Sequence, residues 1–208
     1  MATMKQLTRK VEVARRHGAG SVSKALTLRA LRFPLWLVYR PEKWHLRGFH
    51  TTNYKKMAVA LAHEVPAPLN VVVDVGCGLG EILNRVDAPR RIGLDVEPGV
   101  ISWARLLQRF TRSDVEFRAG SFESLTPADP EVIDLVIALG WFHYMADEWI
   151  EDRMRTLLAT RRVRYVMVDE FPAQAGRIEG IFDDFGEPVR RCHDWQDGKT
   201  LFLYRCDG

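Results

Sequence analysis

An aspartate and three glycines spaced two residues apart, Asp74, Gly76, Gly78 and Gly80, follow a run of valines. Glycines let the chain turn sharply and let a ligand approach the backbone closely. A helix beginning after them would offer free N–H groups and a positive dipole end to a carboxylate or phosphate. Asp95 comes 19 residues after Gly76, where an acid can accept hydrogen bonds from both ribose hydroxyls. This spacing predicts a nucleoside-binding site.

The glycine spacing argues against two common nucleotide-binding motifs. A dinucleotide fingerprint, G-x-G-x-x-G, would need a glycine at position 81, where this chain has Glu81. A carboxylate there would also repel a pyrophosphate. No Gly-Lys-Ser/Thr follows, so the chain has no phosphate-binding P-loop of the Walker type.

Strand-like and helix-like segments alternate around these residues, which indicates βαβ units and a parallel sheet. The predicted strands are 71–75, 91–95, 115–119, 133–138 and 165–169, and the predicted helices between them are 79–86, 98–110 and 147–160. A terminal hairpin is predicted from strands 188–195 and 200–206, joined by the turn-forming pair Asp197-Gly198. The expected fold is α/β, a Rossmann-like sheet of five parallel strands plus a C-terminal antiparallel hairpin, with an N-terminal helical cap.

Residues 66–208 resemble the class I S-adenosylmethionine (SAM)-dependent methyltransferases. The resemblance rests on five features in order: the Asp74-to-Gly80 loop, Asp95, the Gly120-Ser121-Phe122 turn, the strand beginning at Asp134, and the terminal hairpin. It implies a methyltransferase that uses SAM and releases S-adenosylhomocysteine (SAH). It implies cofactor binding by the following residues: Asp74, Gly76, Cys77, Gly78, Gly80, Asp95, Val96, Ser121, Phe122 and Leu139. Ser121 stands where many members have aspartate.

Methyl transfer to a hydroxyl benefits from a general base, and we expect one where strands four and five end. The candidates at these strand ends are His143, Tyr144, Asp169 and Glu170. Of these, His143 and Glu170 are selected as catalytic, and Tyr144 is also a candidate for binding the acceptor. The strand-four sequence lacks the Asn/Asp-Pro-Pro-Tyr/Phe motif that would imply methylation of DNA amino groups. Cys192 and Cys206 lie outside the loops where a cysteine nucleophile would act. We expect no metal.

Residues 1–66 form a basic segment, with 13 Lys and Arg against 3 acidic residues, before a net acidic remainder. Helices are expected at 4–16, 21–32 and 52–64, and Pro66 and Pro68 mark the boundary with a SAM-binding domain over 67–208. In this helical cap, His50 and Tyr54 are candidates for contacting the acceptor. Its apolar part is compatible with packing on the sheet domain, with a homodimer interface and with an anionic membrane surface; packing is favoured.

The expected function is methylation of a small molecule or saccharide, at oxygen. The alternative is an RNA- or protein-directed methyltransferase that uses the basic segment, since excess positive charge is the electrostatic footprint of nucleic-acid binding. Three cysteines without a CxxC pair favour a reducing, cytoplasmic location. The longest apolar run near the start is too short for a transmembrane helix.

Overall fold

A seven-stranded sheet organises the chain, in the order β3-β2-β1-β4-β5-β7-β6. The computed structural model describes residues 48–66, 68–111 and 113–206. Strands β1 to β5 are parallel, and β7 runs antiparallel to both β5 and β6. Their bounds are β1 Val71–Val75, β2 Arg90–Asp95, β3 Glu116–Ala119, β4 Val132–Ala138, β5 Arg162–Glu170, β6 Glu187–His193 and β7 Thr200–Arg205.

Four α-helices cover the two faces of the sheet in the described part of the chain. They are α1 Asn53–His63, α2 Pro98–Thr111, α3 Asp147–Thr160 and α4 Arg177–Phe182. Short 3-10 helices occur at Phe49–Thr51, Leu83–Arg85, Phe122–Ser124, Phe142–Tyr144 and Pro172–Gln174. None of the described helices is long and apolar enough to cross a membrane.

Alternate residues of β1, β4, β5 and β7 enter two separate cores, as the two-residue period of a strand requires. Val72, Ile137 and Met167 pack on one face with apolar residues of α1 and α2, which we call the α1 face. Val73 and Val168 pack on the other face with apolar residues of α3 and α4. Continuous runs of buried β-branched residues suit strands covered on both sides.

The side-chain alternation decides which residues at the strand ends can meet. Asp74 and Asp169 follow the α1-face residues of β1 and β5 at a spacing of two. Lys199 precedes the α1-face residue Leu201 of β7 by two positions. Because β7 is antiparallel, its start lies beside the carboxyl end of β5, where Thr200 pairs with Glu170. The three charged side chains are therefore brought to the same end and the same face of the sheet.

The five parallel strands, the terminal hairpin and the helices at 98–110, 147–160 and 52–64 are confirmed, with shifts of a few residues at some ends. The helix predicted at 79–86 is wrong. Gly80 has a φ of 70°, outside the α-helical region, and Pro89 follows nine residues later. The short interval between them forms turns and the 3-10 helix Leu83–Arg85. Helices 4–16 and 21–32 lie outside the described residues, and the boundary at residue 66 stays a prediction.

Candidate active site

The glycine-rich loop after β1 is held by backbone hydrogen bonds to the end of β2. The N–H groups of Gly76 and Cys77 donate to the carbonyl oxygen of Leu94, at 2.8 and 2.9 Å. The N–H of Gly78 donates to Oδ2 of Asp95, at 3.0 Å. Gly76, Gly78 and Gly80 all have positive φ, between 54° and 76°, which side-chain-bearing residues rarely adopt. The three glycines are thus required by the shape of the loop.

Close packing adds a second reason for glycine at two of these positions. A Cβ atom on Gly80 would lie 2.4 Å from Cζ of Phe117. A Cβ atom on Gly76 would lie 3.1 Å from Cδ1 of Trp141. Trp141, which the sequence analysis did not select for the site, therefore covers the first glycine of the loop.

Asp74 is the buried acid of the loop and is 3% exposed. Among the described residues, no group donates a hydrogen bond to its carboxylate, whereas buried carboxylates usually have such donors. Burial, followed by the nearby charge of Asp95, raises the pKa of Asp74 to about 7, and the charge of Lys55 works in the opposite direction. A carboxylate in this condition is suited to binding a cationic group.

Asp95 has both carboxylate oxygens engaged with backbone. Oδ2 accepts from Gly78, and Oδ1 accepts from the N–H of Glu97 at 3.0 Å. Each carboxylate oxygen can accept a further hydrogen bond. Asp95 is 5% exposed, so the backbone fixes its orientation and leaves acceptor capacity for hydroxyl groups.

The remaining predicted cofactor residues differ in exposure. Val96 is 60% exposed, and Phe122 is buried, with its ring edge-on to Trp141 at a centroid distance of 5.4 Å. Ser121 is half-buried, and its hydroxyl bonds Glu123. Leu139 is half-buried against the α1-face core.

Cys77 lies under the glycine loop and faces the sheet. Its Sγ is 2.9 Å from the position a Cβ atom would take on Gly93 of β2, so the side chain fills space above that glycine. Burial, then the charges of Asp74 and Asp95, raise the pKa of the Cys77 thiol. The side chain is therefore a neutral packing group, and only the backbone of Cys77 is placed to meet a ligand.

The segment that contains α1 is fastened to the glycine loop through Glu81. The carboxylate of Glu81 accepts the N–H of Phe49 at 3.1 Å and pairs with Nζ of Lys55 at 2.6 Å. The guanidinium of Arg85 also lies over the Phe49 ring, 4.0 Å from its centroid. His50 is half-buried and edge-on to Phe49.

A second cluster joins His143, Asp169 and Lys199 at the ends of β4, β5 and β7. Oδ1 of Asp169 accepts the N–H of Gly140 at 2.6 Å and lies 3.2 Å from Nε2 of His143. Oδ2 of Asp169 accepts from Nζ of Lys199 at 2.6 Å. The ammonium lies over the rings of Tyr54 and Phe171, 4.4 and 4.0 Å from their centroids.

Asp169 is ionised in this cluster. Its burial favours the neutral acid, but the hydrogen bond from His143 and the charge of Lys199 outweigh that effect and hold the pKa of Asp169 below its usual value. Asp169 and Lys199 are 1% and 6% exposed, respectively. The predicted residues His143 and Tyr54 are thus brought together through Asp169, a candidate from the sequence, and Lys199, which was not among the predicted site residues.

Both ring nitrogens of His143 face acceptor oxygens. Nδ1 is 3.1 Å from Oε1 of Gln174, whose own Nε2 donates to the carbonyl oxygen of His143, and Nε2 faces Asp169. For His143 to take a proton from an acceptor, one of these contacts must first break. The described geometry favours a role in holding Asp169.

Glu170 points to the opposite face of the sheet from its neighbour Asp169. Its two oxygens accept the N–H groups of Gly176 and Ile178 at the start of α4, at 3.0 and 2.8 Å. Glu170 was predicted as catalytic, but both oxygens of its carboxylate accept hydrogen bonds from the backbone. We therefore leave it out of the proposed active site. Tyr144 is 79% exposed beside His143 and has no described contact with the cluster.

The sequence signals for Asp169, a predicted candidate, and Lys199, a missed residue, were of unequal strength. Asp169 was visible at the end of a predicted strand, and Lys199 follows the predicted Asp197-Gly198 turn. Nothing in the sequence indicated that these two side chains pair, since they are 30 positions apart. In the described part of the chain, no group of three or more His, Cys, Asp or Glu side chains is arranged to hold a metal ion.

The chain is similar to known methyltransferases in the sequence of one region and in its fold. Residues 72–163 match the family model described as "Methyltransferase domain". The N-methyltransferase NodS from Bradyrhizobium japonicum WM9, in complex with SAH, has a similar structure, with a TM-score of 0.63 at 15% identity; the match covers 82% of this chain and 92% of that one. No curated protein sequence matches the chain.

Two further solved structures share the fold. Magnesium protoporphyrin IX methyltransferase (ChlM) from Synechocystis PCC 6803, with bound SAM, has a TM-score of 0.60 at 12% identity, covering 89% of this chain and 96% of that one. A methyltransferase in complex with the Haloferax volcanii Trm112 activator has a TM-score of 0.56 at 19% identity, covering 74% and 88%. The matched family model and the seven-stranded sheet therefore show a methyltransferase domain over residues 72–163 and the fold that these solved methyltransferases share.

Proposed function

We propose that this methyltransferase transfers the methyl group of SAM to an oxygen atom of a small molecule or saccharide. The observation that carries the proposal is the buried Asp169–Lys199 pair, covered by Tyr54 of α1 at the carboxyl ends of β4 and β5. A site covered in this way suits an acceptor of small size, because small-molecule sites bury most of the ligand surface.

The residues around the glycine loop fit SAM. Asp74, a buried carboxylate without a described donor, would hold the ammonium of the methionine part. Asp95 would accept hydrogen bonds from the ribose hydroxyls, and the positive-φ loop from Gly76 to Gly80 would lie against the methionine part. The remaining residues proposed to line the cofactor are Cys77 through its backbone, Val96, Ser121, Phe122 and Leu139.

SAM supplies a sulfonium-bound methyl group, so the protein needs chiefly to align the acceptor and exclude water. Asp169 does the central positioning: it holds the loop after β4 through Gly140, orients His143 and fixes the ammonium of Lys199. We propose His143 as a positioning residue that acts through Asp169.

The charge of Lys199 favours oxygen over nitrogen as the acceptor atom. An amine is largely protonated at neutral pH and would be repelled by a buried ammonium at close range. A hydroxyl or carboxylate oxygen can instead accept a hydrogen bond from it. Tyr54 and the exposed Tyr144 are proposed to contact the rest of the acceptor. His50 is proposed to lie at the outer edge of the acceptor site.

A transfer assay tests this proposal. The wild-type protein is incubated with [methyl-³H]SAM and one of three acceptor pools: hydroxylated small molecules and saccharides, total RNA, or unfolded protein. We expect label in the small-molecule pool, with mass spectrometry placing the methyl group on oxygen. Label found only in RNA or protein would overturn the small-molecule assignment, and methylated amines would overturn the assignment to oxygen.

A further inference from the structure

Lys199 carries hydrogen-bonding capacity that the described structure does not use. An ammonium has three N–H groups, and one of them donates to Asp169. Among the described residues no other oxygen accepts from it; the rings of Tyr54 and Phe171 occupy part of its surroundings. Lys199 is only 6% exposed, and leaving N–H groups of a buried cation unsatisfied is costly.

The ammonium also lies beside the loop after β4. A Cβ atom on Gly140 would be 3.8 Å from Nζ of Lys199. Gly140 is three residues beyond Ile137, whose register partner in β1 is Asp74. Lys199 therefore faces the end of β4 next to the proposed cofactor site.

The contacts of Lys199 suit it to act as a cation. A lysine that acts as a base must turn its amine toward the acceptor's proton, whereas Nζ of Lys199 donates to the carboxylate of Asp169 at 2.6 Å. The charge of Asp169 is shared among Lys199, His143 and the N–H of Gly140, so the pair does not present a strong negative field to an incoming group. A buried, charged, partly unsatisfied lysine in this position is a candidate for binding an anion.

We infer that Lys199 binds the reacting oxygen of the acceptor, and that this oxygen is already negatively charged on binding, as in a carboxylate or an ionised phenol. The inference rests on the proposed transfer to oxygen. The oxygen forms a bond to the methyl carbon while the carbon–sulfur bond breaks, and the electron pair of that bond stays on sulfur. The oxygen brings no proton, so the step requires no base, which agrees with the engaged nitrogens of His143.

Lys199 acts mainly on acceptor binding. Negative charge on the oxygen decreases as its bond to carbon forms, so attraction to the ammonium is stronger before the transition state than in it. Loss of Lys199 is therefore expected to raise KM for the acceptor much more than it lowers kcat.

Calorimetric titration of the enzyme–SAH complex tests the inference with matched acids and neutral partners. The carboxylate arm compares benzoate with benzamide, and the phenolate arm compares 4-nitrophenol at pH 8 with 4-nitroanisole. For wild type we expect at least one acid to bind about tenfold or more tightly than its neutral partner, as a charge-assisted hydrogen bond allows. The arm that shows the preference identifies the type of oxygen.

Variants separate charge recognition from structural support. Lys199→Met should abolish the preference for the acid, and Lys199→Arg should keep most of it. Because Lys199→Met leaves a buried carboxylate unpaired, the double variant Asp169→Asn/Lys199→Met removes both charges and should also lack the preference. Arg155→Met, which removes an exposed cation of α3, is the matched control and should bind as wild type.

The inference is overturned if neither acid is preferred by wild type, or if the double variant retains the preference. A preliminary titration with SAH distinguishes a failure of this inference from a failure of the proposed function. Absence of SAH binding to wild type would count against the proposed cofactor site. The preference for the acid would then be measured on the free enzyme, and the same two results would overturn the inference about Lys199.

Discussion

Two clusters at the carboxyl end of the sheet satisfy their polar groups in opposite ways. The cofactor half, which consists of Asp74, the Gly76-to-Gly80 loop and Asp95, has a buried carboxylate without a described donor. The proposed acceptor half, which consists of His143, Asp169 and Lys199, is linked internally by hydrogen bonds of 3.2 and 2.6 Å. The proposed cofactor half therefore suits a cation and hydroxyl groups, whereas the proposed acceptor half holds the ammonium of Lys199 in place and leaves some of its N–H groups without a described acceptor.

The difference also explains how far each half can be predicted from sequence. The proposed cofactor half comes from a continuous loop and one acid at the end of the next strand, so its residues could be predicted from spacing and from the family resemblance. The acceptor half joins residues from three strand ends, with Lys199 and Asp169 30 positions apart. Only the three-dimensional pairing of β5 with β7 brings these two side chains together.

The largest expected effect is on the cofactor half. Asp95→Ala removes the acceptor for the N–H of Gly78 as well as the proposed ribose contacts. Loss of two hydrogen bonds to a charged group should weaken SAH binding by about 100-fold or more, as measured by calorimetry. The exposed acid Asp152 provides the control, since Asp152→Ala should bind SAH as wild type. A loss below tenfold for Asp95→Ala would remove Asp95 from the proposed site.

The shape of the glycine loop can be tested by measuring the free energy of unfolding of glycine variants. Gly80→Ala combines a φ of 70° with a Cβ atom 2.4 Å from the Phe117 ring. We expect it to lower the free energy of unfolding by about 2–4 kcal/mol in urea titrations. Gly180→Ala is the matched control: it lies within α4 with open space around its Cβ position, and should raise stability by about 0.5–1 kcal/mol. Equal stabilities for the two variants would contradict the described loop.

The raised pKa of Asp74 predicts that cofactor binding depends on pH. Below a pKa of about 7 the free enzyme holds a proton on Asp74, and binding a cation beside it requires that proton to leave. Affinity for SAH should therefore rise about tenfold from pH 6 to pH 8, as the ionised fraction increases. Asp74→Asn should bind more weakly and show a flat profile over this range. A wild-type profile that is flat, or that falls with pH, would exclude the proposed contact with the ammonium.

The smallest effect is expected at His143. As a positioning residue, His143→Ala should lower kcat less than about tenfold and leave the acid limb of the kcat–pH profile in place. A general base would instead cost about 10²–10⁴-fold and remove that limb. His193→Ala, an exposed histidine of β6, is the control. The measurement uses whichever acceptor the transfer assay identifies.

The fold could be predicted from the sequence more completely than the site, and particular segments show the physical reasons. The strand at 71–75 and the helix at 147–160 were predicted with their observed bounds, because continuous β-branched burial and amphipathic spacing are local signals. The helix expected at 79–86 failed because the left-handed conformation of Gly80 leaves only a short interval before Pro89. The opposite roles of Asp169 and Glu170 depend on which face of β5 each occupies.

The central claim is that SAM occupies the cofactor half with its sulfur directed toward the acceptor half. A crystal structure of the wild-type protein with SAH tests this most directly. The account predicts the amino group of SAH within hydrogen-bond distance of Asp74, the ribose hydroxyls on Asp95, and the sulfur facing Gly140 and Lys199. SAH bound elsewhere, or bound with its sulfur turned away from Lys199, would contradict it.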